Sequence, residues 1–223
     1  MTARYAHVVL DWDGTVVDTL HDKARNAAQV LSAALGAPAA AIEAAYLRHS
    51  GVARRVLFDR IASDTAARAL SDPEFERLSA EFTSVNLARL APAALQPGAE
   101  AALYALARRG VRLALSSSAP PEDLDPRVER SGLRPLFDAV LASRPGFAKG
   151  PEHVASLCAR WAVSPADLLA VGDEAADVAL ARAAGANVAL VLHTLGLADA
   201  QGLGPDHVLA GLEDLLLLCP PRA

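Results

Sequence analysis

From Pro97 onward the sequence alternates between short apolar runs and amphipathic stretches, and this alternation constrains the fold more than any other feature. Helical spacing over 99–109 gives way to a strand over 111–116, then a helix over 121–131 and a strand over 138–141. The pattern continues with a helix over 151–161, a strand over 168–171, a helix over 175–184 and a strand over 187–192. A short strand over 206–209 and a last helix over 212–218 close the chain. Uninterrupted apolar strands alternating with helices predict an α/β fold, a Rossmann-like parallel sheet covered on both faces. In such sheets ligands gather beyond the carboxyl ends of the strands. The residues that follow each strand are therefore the candidates for chemistry.

The first strand, residues 8–10, ends in Asp11-Trp12-Asp13-Gly14-Thr15. Two carboxylates at i and i+2 share a face on extended chain, but a turn at Gly14 lets one of them offer its backbone carbonyl instead. Hard oxygen ligands suit Mg2+, and an exposed carboxylate is also a nucleophile. The plain alternative is a simple Asp-Gly turn. Ser116-Ser117-Ser118 stand at the end of the strand over 111–116, where they either meet phosphate or cap the next helix. Asp173 and Asp177 stand at i and i+4 after the strand over 168–171; a helix start favours acids in any case. Lys149 precedes the helix over 151–161. It and Lys23 are the only lysines among 21 basic residues.

Residues 19–91 read as helical throughout. Ala27, Val30, Leu31, Ala34 and Leu35 keep helical spacing up to a stop at Gly36 and Pro38. A second helix spans about 40–48, Ser50-Gly51 breaks it, and a third runs over 52–61. Asp72-Pro73-Glu74 predicts a helix start with Asp72 as its N-cap. Pro92 marks the return to the alternating pattern. The expected organisation is a core of residues 1–18 and 92–223 with a helical insertion of residues 19–91. The 223 residues are enough for both, and 52% hydrophobic content argues for a packed globule. A formal charge of −5 gives no attraction to nucleic acid or anionic membrane. No apolar run reaches the ~18 residues of a membrane span, and no signal peptide is visible. Cys158 and Cys219 lack metal-ligand spacing and read as small apolar residues of a reducing compartment, so a cytoplasmic location is expected.

Taken together, these features resemble the haloacid dehalogenase superfamily of phosphohydrolases, in the branch with a helical cap after the first strand. Asp11-Trp12-Asp13-Gly14-Thr15 is similar to its first motif, Ser117 falls at the second, Lys149 at the third, and Gly172-Asp173 to Asp177 at the fourth. The resemblance implies Asp11 as nucleophile, Asp13 as acid and base with a free carboxylate, and Ser117 and Lys149 as catalytic partners. It implies Mg2+ held by Asp11, Asp13 and Asp173, with Asp177 as a ligand or one step removed. Gly14, Thr15 and Ser118 would meet substrate. Arg54, in a stretch similar to the cap loop of β-phosphoglucomutase-like members, would meet a distal anionic group.

Asp13 favours phosphoester over carbon–halogen chemistry, since a halide leaving group needs no proton. Lys23 stands where the mutases carry a histidine, which favours a phosphatase of a small phosphorylated metabolite, a phosphosugar or phosphoacid. The expected protein is a monomer or homodimer. The competing readings are a phosphosugar mutase, a phospho-acceptor of the receiver type, and a binding protein without turnover. A receiver carries its acceptor after the third strand and has no helical insertion.

Overall fold

The computed structural model describes residues 5–90 and 93–221, so the boundary expected at Pro92 lies outside the described residues. Strand β1 (His7–Leu10) sends Val8 and Leu10 to one face and Val9 to the other, and all three are buried. A strand buried on both faces requires a layer of helices on each side.

Four helices follow β1: α1 (Leu20–Leu35), α2 (Ala39–His49), α3 (Arg54–Ala66) and α4 (Asp72–Arg89). Gly36, in the left-handed conformation at φ 62°, ends α1 as expected. The N-cap of α4 is Ser71, which accepts from the Glu74 amide; Asp72 is instead the first helical residue. The third helix starts two residues later than expected, because Val52 and Ala53 remain in the turn after Gly51. These four helices enclose an apolar cluster of their own, with Phe58, Phe82, Leu31, Ile42, Ile61 and Leu78 fully buried.

The alternating half follows as α5 (Ala99–Arg108), β2 (Arg112–Ser117), α6 (Pro121–Arg130), β3 (Ala139–Ala142), α7 (Pro151–Trp161) and β4 (Leu168–Gly172). Then come α8 (Ala175–Ala184), β5 (Asn187–Val191), α9 (Leu197–Gly202), β6 (His207–Leu209) and α10 (Leu215–Leu218). Helix α9 was not legible in the sequence. The expected helix over 212–218 divides into a 3-10 turn, Leu212–Asp214, and the single turn of α10.

The six strands pair in the order β3-β2-β1-β4-β5-β6, all parallel. Helices α5, α6 and α10 cover one face with Leu103, Leu106, Leu124, Val128 and Leu215, while α7, α8 and α9 cover the other. The order reverses between β1 and β4, which makes the carboxyl ends of these neighbours the topological switch point. Leu10 lies beside Leu115 of β2 and Val171 of β4, so Asp11, Ser117 and Asp173 emerge at one end of the sheet. Helix α4 packs against α6 and joins the inserted helices to the sheet layer. No helix among the described residues is long and apolar enough to cross a membrane.

Candidate active site

Asp11 continues the β1 ladder, its amide donating to the Val171 carbonyl at 2.9 Å. The chain then folds back, with Gly14 N–H bonded to Val17 O at 2.8 Å and Val17 N–H to Trp12 O at 3.1 Å. Gly14 adopts φ +87°, and a Cβ there would lie 2.4 Å from an Asp173 carboxylate oxygen. Only glycine permits both the left-handed backbone and this close approach. The Asp-Gly turn exists, and it is itself part of the site.

Asp11, Asp173 and Asp177 are all buried, and one carboxylate oxygen from each lies within 4.8 Å of the others. Lys149 Nζ stands 2.9 Å from Asp11 Oδ1 and 2.6 Å from Asp177 Oδ1. Three carboxylates against one ammonium leave a negative excess in a buried place. Burial accordingly pushes the Asp11 carboxyl up to about 6 against the pull of Lys149, with Asp177 adding to the rise. Burial, then Asp177 and Asp11, raise Asp173 well above the usual carboxylate range. Burial alone would lower Lys149, but Asp11 and Asp177 outweigh it and hold the ammonium charged. Such a donor set of hard, closely spaced oxygens with surplus negative charge could hold a metal ion.

Asp173 is gripped on both oxygens. Thr15 Oγ1 donates to Oδ1 at 2.8 Å and Thr194 Oγ1 donates to Oδ2. Asp177 accepts the amides of Asp173 and Glu174, each at 3.1 Å, so the start of α8 is shaped by the site's own acid. Ser117 ends β2, buried, and its Oγ accepts the Ala119 amide at 3.1 Å, leaving its proton for another acceptor. Neither it nor its neighbours caps α6, which begins at Pro121 without a side-chain cap. Ser143 ties two site segments together, donating to Ser117 O and accepting the Lys149 amide.

A second charged cluster lies on the side of the inserted helices. Arg127 of α6 grips both oxygens of Asp13 at 2.6 and 3.0 Å; Lys23 donates to the same carboxylate at 2.8 Å and Thr19 at 2.7 Å. Burial alone would raise Asp13, but Arg127 and Lys23 hold it below the usual range, so it is ionised. Arg127 also bonds Asp123 through Nε at 2.9 Å. Asp123, fully buried, accepts from Arg54 of α3 and from Asn86 of α4 at 3.0 Å. Arg54 is buried too; it reaches Thr83 Oγ1 at 2.6 Å and lies over the Phe82 ring.

The family profile described as haloacid dehalogenase-like hydrolase matches residues 5–185. The chain belongs to the haloacid dehalogenase-like hydrolases. It is 33% identical over 223 residues to the plasmid phosphoglycolate phosphatase of Cupriavidus necator, covering 96% of this chain and 94% of that one. It is 31% identical over 211 residues to the phosphoglycolate phosphatase of Chromobacterium violaceum, covering 93% of each. A solved structure from Haemophilus somnus, described as a predicted phosphoglycolate phosphatase, superposes with a TM-score of 0.80 at 24% identity over 98% of this chain and 99% of that one. The last likeness concerns the fold. The family and its phosphatase relatives make this hydrolase a phosphatase.

Two expectations for the hydrolase need correction. The Asp13 carboxylate is not free: four donor contacts from three residues hold it, because Arg127 and Lys23 converge on it across the two layers. Arg54 is not free to meet a distal anionic group, since Asp123 takes its guanidinium. Arg54 does line a cavity of about 20 Å3, together with Lys23, Tyr46, Phe82 and Ser118. Arg55 is the arginine that stays partly exposed, paired with Asp59 and Asp72. Asp13 stands outside the carboxylate trio. Thr19, Asp123, Arg127, Ser143 and Thr194 carry no signal in the sequence, while Lys23 is marked by the scarcity of lysine and by its place where the mutases carry a histidine.

Proposed function

We propose that this phosphatase is Mg2+-dependent and hydrolyses a small phosphorylated acid through an aspartyl-phosphate on Asp11, phosphoglycolate being the substrate named for its relatives. The observation that supports it best is the buried trio of Asp11, Asp173 and Asp177, balanced among the described residues by Lys149 alone, a charge deficit that suits a divalent cation. Asp13 would join through its backbone carbonyl, its side chain being engaged elsewhere.

Asp11 attacks phosphorus and the bond to the leaving oxygen breaks. Two unit charges 4 Å apart repel by about 4 kcal/mol at an effective dielectric near 20, so carboxylate and phosphate must be brought together by positive charge. Bound Mg2+ supplies part of that charge as a Lewis acid. Lys149 supplies more, and Ser117, Ser118 and the Gly14-Thr15 turn face the transferring oxygens. Water then attacks the aspartyl-phosphate, giving inorganic phosphate and free Asp11. Ionised Asp13 is the form that accepts the proton of that water. Its earlier gift of a proton to the leaving oxygen requires the Lys23 and Arg127 contacts to loosen, so that Asp13 first takes up a proton from solvent. An anionic substrate drawn to Lys23 in the cavity beside Ser118 competes for that cation and loosens its hold on Asp13.

The cavity there holds no more than about one water, so residues 19–91 act as a cap that must open for substrate, against a core of 1–18 and 92–223. The reading includes a cytoplasmic monomer or homodimer without nucleic-acid or membrane partners, supported by the charge of −5. The test is turnover of phosphoglycolate beside hexose phosphates, with and without chelator. Phosphate release from phosphoglycolate that stops in chelator and returns with Mg2+ is expected, as is a hydroxylamine-labile phosphoryl group on Asp11 that Asp11→Asn lacks. Turnover undiminished in chelator, or an adduct on Asp13, overturns the scheme.

A further inference from the structure

We infer that Thr194, from the loop after β5, is a positioning residue that orients the Asp173 carboxylate for Mg2+; this rests on the metal reading above. Nothing in the sequence marks it, because it lies beyond the four motifs, in the stretch after the strand expected over 187–192. The geometry makes it one of two hydroxyls closing on a single buried carboxylate, Thr15 on Oδ1 and Thr194 on Oδ2. Asp173 is 1% exposed, so water cannot replace a lost donor. It also has nowhere else to go, since Gly14 presses against it at a distance that excludes a Cβ.

The loop that carries Thr194 is fixed to the same turn. His193 Nδ1 lies 3.1 Å from the Gly14 carbonyl, which also accepts from Gln96 at 3.0 Å. Leu192 N–H bonds Leu209 O at 2.9 Å, anchoring the loop to β6. Thr194 therefore arrives at Asp173 from a rigid base. A carboxylate has about four acceptor sites, so two hydroxyl bonds leave room for a cation on the side facing Asp11 and Asp177. What the hydroxyls fix is the rotation of the carboxylate plane. Without Thr194, Oδ2 is a buried acceptor lacking this partner, and the carboxylate turns away from the alignment the cation needs.

The test is direct Mg2+ binding by calorimetry to the full chain, together with the Mg2+-induced rise in Tm, for the parent, Thr194→Val, Thr194→Ala and Thr194→Ser. Losing an outer partner of this kind weakens metal binding about 10–100-fold, and Thr194→Val and Thr194→Ala are expected to raise the Kd for Mg2+ by that factor. Thr194→Ser, which keeps the hydroxyl, is expected to bind within about threefold of the parent. The Ala and Ser forms guard against a Val variant that fails to fold. Parent-like binding by both Val and Ala variants overturns the inference while leaving the metal reading intact. Equal weakening in Ser, Ala and Val also overturns it, since the hydroxyl would then not be the carrier. A parent that binds no Mg2+ overturns the metal reading first and this inference with it.

Discussion

Lys149 shows how one residue sets the chemistry of its surroundings. Its ammonium lies between Asp11 and Asp177 and is the sole cation within ion-pair distance of the trio among the described residues. Removing it would leave three buried carboxylates facing one another, and breaking a buried pair by deleting one partner costs about 3–5 kcal/mol. Lys149→Met is expected to lower metal-free unfolding stability by about that amount in urea titrations. Mg2+ should recover part of the loss, because the cation takes over the missing positive charge. A variant as stable as the parent in chelator would mean that the trio is better solvated than its burial indicates. Gly172 is fixed by the same crowding: a Cβ there would lie 2.0 Å from the Asp177 carboxyl carbon.

At the scale of elements, the seam between the inserted helices and the sheet layer is held by charge as well as by apolar contact. Helices α1, α3 and α4 send Lys23, Arg54 and Asn86 to two core carboxylates, Asp13 and Asp123, with Arg127 bridging the pair. The loop after α2 adds a second point of closure, where Ser50 donates to Glu174 and Gly51 sits against Ala176 too closely for a Cβ. Arg54 thus serves the seating of the cap on the core. Arg54→Ala is expected to reduce kcat/KM for p-nitrophenyl phosphate as well as for phosphoglycolate, by about tenfold or more, because a buried Asp123 left short of a partner disfavours the closed form. In a double-mutant cycle with Asp123→Asn, the pair should show coupling of about 0.5–3 kcal/mol in stability. A loss on phosphoglycolate alone would return Arg54 to a direct contact with substrate.

For the whole molecule, the buried acids link stability to pH and to metal. Burial raises Asp11 from 3.8 to about 6, and Glu174 from 4.5 to about 7. Groups whose folded values are raised bind protons more tightly in the native state, so their contribution is complete below the unfolded values and is lost as pH rises through the folded ones. Burial lowers His153 from 6.5 to about 4, which acts in the opposite sense, but only below pH 6.5. Asp13, held low by its cations, matters only in acid. Between pH 6.5 and 8 the metal-free protein is therefore expected to lose on the order of 1 kcal/mol through Glu174 and only about a quarter of that through Asp11, and Mg2+ should restore more at pH 8 than at pH 6.5. Urea midpoints at the two pH values, in chelator and in Mg2+, measure both effects. Stability that is flat over that range in chelator would contradict the picture.

The sequence by itself determined the sheet, the order of its helices other than α9, the strand-end positions of Asp11, Ser117 and Asp173, and the helix-start positions of Lys149 and Asp177. Each of these follows from local periodicity or from a residue's place after an apolar run, and both are properties of neighbouring residues. The partners of Asp13 and Asp173 were decided by tertiary structure. Arg127 lies 114 residues from Asp13, and Thr15 lies 158 residues from Asp173. No spacing rule connects such pairs; they meet because β1 sits at the centre of the sheet and collects what its neighbours and the inserted helices deliver. The same distance explains Arg54, whose position in the cap was legible but whose partner Asp123 was not, since α6 reads in isolation as an ordinary helix with acids in its first turn. Local sequence sets which groups stand at the strand ends, and long-range packing sets which of them are left with a charge to share.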